Sequence, residues 1–168
     1  MAAADNIRRN FNAFFDGYSQ AGKVEEFTPP SLMTTGEDFR AGGMDAPIEL
    51  KMGMEKMEVT IKMASVDVET LRLWGRLDTV PLIVRGALES RDGTVKAEVF
   101  RVRGRVKGLE QDAIQPGVKS GVTYTVAVHE FTYTVNGVEV HNIDIPNMKC
   151  VINGTDVLGE QRRALGLA

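Results

Sequence analysis

The sequence predicts a mainly β fold of the α+β kind: a curved antiparallel β-barrel or sandwich with one flanking helix and a short carboxyl-terminal helix. Two observations carry this expectation. First, long stretches of alternating apolar and polar residues are joined by tight-turn signals. Leu82 to Ser90 and Thr94 to Lys107 flank Arg91-Asp92-Gly93, and Val122 to Val135 and Val138 to Ile145 flank Asn136-Gly137. Second, the alternation slips inside the strands. Val95, Ala97 and Val99 hold odd positions, whereas Phe100, Val102 and Val106 hold even ones; Tyr124, Val126 and Val128 likewise give way to Phe131, Tyr133 and Val135. A one-residue slip marks a bulge or a strand that passes between packing layers, and both devices curve a sheet.

The remaining elements follow in chain order. Phe11 to Phe15, Asp16-Gly17, Ala21-Gly22 and Val24 to Phe27 read as a β-hairpin with an irregular loop. Pro29-Pro30 ends it, and Leu32 to Phe39 resumes an extended path. In Arg40 to Met63, Gly42-Gly43, Pro47 and Gly53 mark turns before a period-two strand that points Met57, Val59, Ile61 and Met63 one way. Ser65 to Arg76 reads as the internal helix, with Ser65 or Asp67 as cap and Gly75 as stop; its Val68, Leu71 and Trp74 should dock on the sheet. Asn153-Gly154 turns the chain into a last helix over Thr155 to Leu165, with Leu158 and Leu165 on one face. With no linker, repeat or low-complexity segment, residues 1–168 are expected to form a single domain with a protruding loop or hairpin at about 41–56.

Bulk composition narrows the function. A net charge of −3 gives no global attraction to nucleic acid or to an anionic membrane. One cysteine, Cys150, excludes an intrachain disulfide framework and fits folding in a reducing cytoplasm. The amino terminus lacks the apolar core of a secretory signal, and no apolar run is long enough to span a bilayer as a helix.

Chemical motifs are sparse. His129 and His141 have no metal-ligand spacing, the carboxylates are scattered, and no nucleophile elbow or phosphate-binding glycine loop is present. Gly104 and Gly108 resemble bulge glycines, since no helix follows them to make a phosphate cradle. No catalytic residue, metal site or cofactor is therefore expected. Two surfaces stand out instead. Met44, Ile48, Leu50, Met52 and Met54 lie on the protruding segment, either folded back on their own core or meeting another protein, for which unbranched methionine suits an irregular contact. Arg101, Arg103, Arg105 and Lys107 share one strand face, either solvated or set against an acidic partner such as a neighbouring copy. That face lacks the interleaved aromatics of a nucleic-acid stacking platform.

The chain resembles the major tail tube proteins of contractile-tailed bacteriophages and the tube proteins of R-type pyocins. The resemblance rests on Phe39-Arg40-Ala41-Gly42-Gly43-Met44-Asp45-Ala46-Pro47 and Met52-Gly53-Met54-Glu55-Lys56-Met57 in the first half. Tyr133 to Val140, Ile143-Asp144, Val151 to Asp156 and Arg162 to Leu167 carry it in the second; the stretch around Pro146 departs from the pattern. The resemblance implies a non-enzymatic virion protein, made in the host cytoplasm, that forms hexameric rings stacked into a hollow tube. Its implied partners are further copies of itself, the tail sheath protein, the tape-measure protein, and the baseplate initiator and tail terminator proteins. DNA would pass through the lumen without sequence-specific binding. A tube of a headless bacteriocin or secretion-like injection device is the near alternative, and a monomeric ligand-binding β-barrel the distant one.

Overall fold

Two layers share one strand, and that strand bends from one layer into the other. The computed structural model describes residues 3–167. Its strands are β1 (Ile7–Phe15), β2 (Tyr18–Ser19), β3 (Val24–Thr28), β4 (Thr34–Phe39), β5 (Ile48–Met54) and β6 (Glu58–Met63). After helix α1 (Val68–Leu71) come β7 (Val80–Glu89), β8 (Val95–Gln111), β9 (Val122–Val135), β10 (Val138–Asp144), β11 (Lys149–Ile152) and β12 (Thr155–Asp156), then α2 (Gly159–Ala164). Ten strands form one antiparallel sheet along the path β12-β11-β10-β9-β8-β7-β1-β2, with β6 and β3 branching from β9. β4 and β5 form a sheet of their own.

The branch explains the architecture. The first half of β9 pairs with β6, as in Thr60 opposite Thr125, while its second half pairs with β10, as in Phe131 opposite Ile143. β8 runs along the other side of both halves. The layers close over Phe15, Met57, Val59, Ile61, Leu82, Val102, Tyr124 and Val126, all nearly inaccessible. Edge-to-face contact between Phe15 and Tyr124, with centroids 5.7 Å apart, and a tilted contact between Phe27 and Phe100 at 5.5 Å tie one layer to the other. The result is sandwich-like, not a closed barrel.

Bulges set the bend. Arg103 faces Glu130 and Gly104 faces Val128, so His129 is the extra residue, at the slip read in β9. Lys107 is the extra residue of a second bulge in β8, between Val106 and Gly108. At Gly104 the strands approach so closely that a Cβ would lie 2.1 Å from the Ala127 carbonyl oxygen, which leaves room only for glycine. The slip expected between Val99 and Phe100 is not a bulge, because pairing runs unbroken through it. Val99 points to the face opposite Phe100 and is buried there nonetheless, flanked by Arg85 and Thr134.

Three other expectations are corrected. The hairpin expected between Phe11–Phe15 and Val24–Phe27 does not form. Asp16 and Gly17, both at positive φ, return the chain only as far as Tyr18–Ser19; β1 then takes β7 as its main partner, and β3 takes β6. The internal helix is a single turn, capped by the Asp67 carboxylate, which accepts from the Glu69 amide at 3.1 Å. Thr70 is buried in the turn and Leu73 just after it; of the three residues expected to dock, Leu71 packs against the core, whereas Val68 and Trp74 are more than half exposed. The final helix starts only at Gly159, Thr155–Asp156 being a strand, and Leu165 is exposed while Leu158 packs against the core.

Candidate assembly surfaces

The β4–β5 hairpin begins as sequence physics would have it: an extended run, a Gly-Gly and Pro-punctuated turn, and a second extended run. It includes Thr34–Phe39 and so reaches further than the expected 41–56. Phe39 faces Ile48 across the ladder and Glu37 faces Leu50, which places Phe39, Ile48 and Leu50 on one face. Their exposures of 48%, 52% and 42% leave that face unpartnered within the protomer. Met52 is the extra residue of a bulge between Lys51 and Gly53, and it is 62% exposed. A lone two-stranded ribbon is marginal in water unless something packs against it.

The predicted hairpin residues thus divide. Ile48, Leu50 and Met52 are presented outward. Met54 roots the hairpin, packing against the core. Met44 serves the turn: its sulfur accepts from the Ala41 amide at 3.2 Å, and its carbonyl accepts from Arg40 Nε at 3.1 Å. Beside the root lies an apolar groove of about 450 Å³ lined by Met54, Ile143, Met148, Cys150 and Leu158 among others. Burial pushes the Cys150 thiol pKa up, the opposite of what a nucleophile needs. Phe39 was not among the predicted contact residues; it becomes visible only once β4 is paired with β5.

The basic row is where its spacing placed it. Arg101, Arg103, Arg105 and Lys107 are all exposed on the same face of β8. Lys107 is neutralised by the Glu58 carboxylate, whose pKa falls because it accepts from Lys107 and from Lys56. No carboxylate among the described residues lies within 4 Å of Arg101, Arg103 or Arg105, although Glu130 is the ladder partner of Arg103. Arg85 belongs to the same patch. It stands on β7 two residues from Ile83, the partner of Arg101, and a neighbouring strand hid it from a reading along β8.

A third cluster escaped the sequence reading. Glu98, 2% exposed, accepts from Arg8 Nε at 2.6 Å, from Arg8 Nη2 at 3.1 Å and from the Tyr133 hydroxyl at 2.9 Å. Tyr133 stacks on Phe100 at 4.5 Å, and His141 stacks beyond it at 6.2 Å. Arg8, Glu98 and Tyr133 partner one another, so that part of the cluster reads as a satisfied buried charge, whereas Nδ1 of His141 is buried without a hydrogen-bond partner among the described residues. Among the described residues no group of three or more His, Cys, Asp or Glu is placed to hold a metal ion.

Comparison with known proteins identifies the family. The family described as Phage tail tube protein FII matches residues 5–166. The chain is 28% identical over 163 residues to the tail tube protein of Escherichia phage P2, covering 93% of this chain and 94% of that one. It is 24% identical over 141 residues to the major tail tube protein of Serratia phage KSP20, covering 83% and 82%. Its fold matches a chain in the cryo-EM structure of the anti-feeding prophage baseplate, 6-fold symmetrised, with a TM-score of 0.55 at 12% identity over 74% of this chain and 90% of that one. The resemblance read from the motifs is thereby borne out, and the chain belongs to the phage tail tube protein FII family.

Proposed function

We propose that this protein is the structural subunit of a contractile tail tube: six copies close a ring, and rings stack into a hollow conduit for genome delivery inside a sheath. The observation that carries the reading is the β4–β5 hairpin. It stands outside the ten-stranded sheet with Phe39, Ile48, Leu50 and Met52 exposed, an arrangement that needs a neighbour to be stable. The outer edge of β1 is a second open surface, since β2 covers only Phe14 and Phe15. Ring closure would occupy such an edge and prevent uncontrolled strand pairing.

The role is mechanical, not catalytic, and the protein resides in the virion tail, as the names of its phage relatives suggest. Its partners are further copies, the sheath, the tape-measure protein, and the baseplate initiator and tail terminator proteins; DNA crosses the lumen without being read. The ligand-binding barrel has no support, because Phe15, Met57, Ile61 and Tyr124 fill the space between the layers. Sedimentation and negative-stain microscopy at high protein concentration test the assignment, with sixfold rings or tubes expected. A monomer that also fails to assemble with the other tail components would reject it.

A further inference from the structure

Two sets of like charges on this chain are held close together without an ion pair within 4 Å among the described residues, although Glu130 stands opposite Arg103 and Lys51 follows Glu49 on the same face of β5. On the hairpin, Asp38 and Glu49 are direct ladder partners, both exposed, and neither has a cation within 4 Å among the described residues. Directly opposed like charges destabilise a strand pair. The position is also built: Glu49 folds across Gly36, where a Cβ would meet its carboxyl carbon at 2.4 Å, so a side chain there would displace the carboxylate. On the body, Arg101, Arg103 and Arg105 follow one another on one face at intervals of roughly 6.6 Å, with Arg85 on the next strand. Lys107, at the end of the row, already has Glu58, which shows what the other three lack.

From this we infer that the Asp38–Glu49 face of one copy's hairpin docks on the Arg101–Arg103–Arg105 row of the next copy. The inference rests on the tube-subunit reading and names the charge contact that would join its subunits. The two faces are complementary in sign, each relieves a repulsion in the other, and planar guanidinium forks suit carboxylate acceptors. They lie on different parts of one chain, so the contact is heterologous and propagates from copy to copy, as a ring or stacked tube requires. The opposite hairpin face, with Phe39, Ile48 and Leu50, is left free to pack on apolar surface. Neutralised in this way, the row has no field with which to retain a passing polyanion.

A charge-swap experiment tests the contact. One variant carries Asp38→Lys and Glu49→Lys, the other Arg101→Glu and Arg103→Glu. Each alone is expected to stay folded by circular dichroism but to raise the critical concentration for assembly at least tenfold, whereas a one-to-one mixture restores tubes, because each hairpin then meets a row of opposite sign. If either variant unfolds, Glu49→Gln and Arg103→Gln replace the reversals; each should weaken assembly, and together they should lose no more than one alone. Wild-type tubes with a mixture that does not complement, or reversals that assemble normally, overturn the docking and leave the tube assignment standing. The docking is equally overturned if the row reversal spares assembly but abolishes duplex DNA binding by the tubes, which would make the row a nucleic-acid track. A wild-type protein that never assembles removes both.

Discussion

Arg8 reaches from the amino-terminal strand to Glu98, its Nε 2.6 Å from one carboxylate oxygen and its Nη2 3.1 Å from the other. The hydrogen bond to Glu98 raises the Arg8 pKa, whereas Tyr133 is raised first by burial and then by its bond to the same carboxylate. Glu98 is enclosed and Arg8 is largely open to water, so the two ends of the bond are not equivalent.

That asymmetry gives a first prediction. Arg8→Met leaves a buried carboxylate with only the Tyr133 hydroxyl as partner and should lower unfolding free energy by about 1–3 kcal/mol. Adding Glu98→Gln to Arg8→Met should recover part of the loss, since the uncompensated charge is gone. Urea unfolding of the monomer measures both. Equal stability of the Arg8→Met variant and wild type would mean that the pair contributes nothing.

The docking of the short helix gives a second. Leu73 is 3% exposed, and Thr70 accepts the Tyr124 hydroxyl at 2.9 Å, while Trp74 is 58% exposed and donates its Nε1 hydrogen to the Lys107 carbonyl at 3.3 Å. Leu73→Ala should therefore cost about 2–5 kcal/mol through lost burial and a cavity. Trp74→Ala should cost about 1 kcal/mol, near the value of one exposed hydrogen bond and some packing. The reverse order would restore the sequence expectation that Trp74 anchors this segment.

How far the sequence carried depended on how local each signal was. The Asn136-Gly137 hairpin was legible because the turn chemistry is contained in two adjacent residues, both at positive φ. The bend at His129 was legible because the alternation changes parity between Val128 and Phe131; Gly104 lies opposite that bulge, and Gly108 follows the second one, at Lys107 of β8. The partner of β1 was not legible, since Phe11 and Gly86 lie far apart in the chain and meet only in the ladder. Nor was the buried face of α1, because one helical turn is too short for a periodicity to identify it. The spacing of the basic row was plain, but the Glu58 that neutralises Lys107 comes from β6, across β9, and Arg85 comes from β7.

Acid sensitivity gives a third prediction. The carboxyls of Asp67, Asp78 and Asp156 all sit below the usual range, chiefly because they accept hydrogen bonds from Lys23, Arg76 and Arg162 respectively. A carboxylate whose folded pKa is depressed contributes stability that is present above its unfolded pKa and lost as pH falls through the folded one. Thermal midpoints should accordingly be flat from neutral pH to about pH 5 and fall below about pH 4. Asp156→Asn should shallow the acid limb. A midpoint that held level down to pH 2 would contradict this account.

The last prediction separates the hairpin's presented residues from its root. Ile48 and Phe39 face each other on the outward side, while Met54 packs against the core. Ile48→Asp or Phe39→Asp should leave the monomer's unfolding free energy within about 0.5 kcal/mol of wild type, the range typical of exposed positions. The same changes should block tube growth, because assembly would bury an unpaired carboxylate at a cost of several kcal/mol. Met54→Asp should instead destabilise the monomer itself, with loss of assembly following from unfolding. Met44→Asp falls between them: it removes the sulfur that accepts from the Ala41 amide, so the turn should loosen while the ten-stranded sheet stays intact. Parallel measurements of monomer melting and of tube yield distinguish the three classes. Normal polymerisation of folded Ile48→Asp protein would show that the outward face of the hairpin is not an assembly contact.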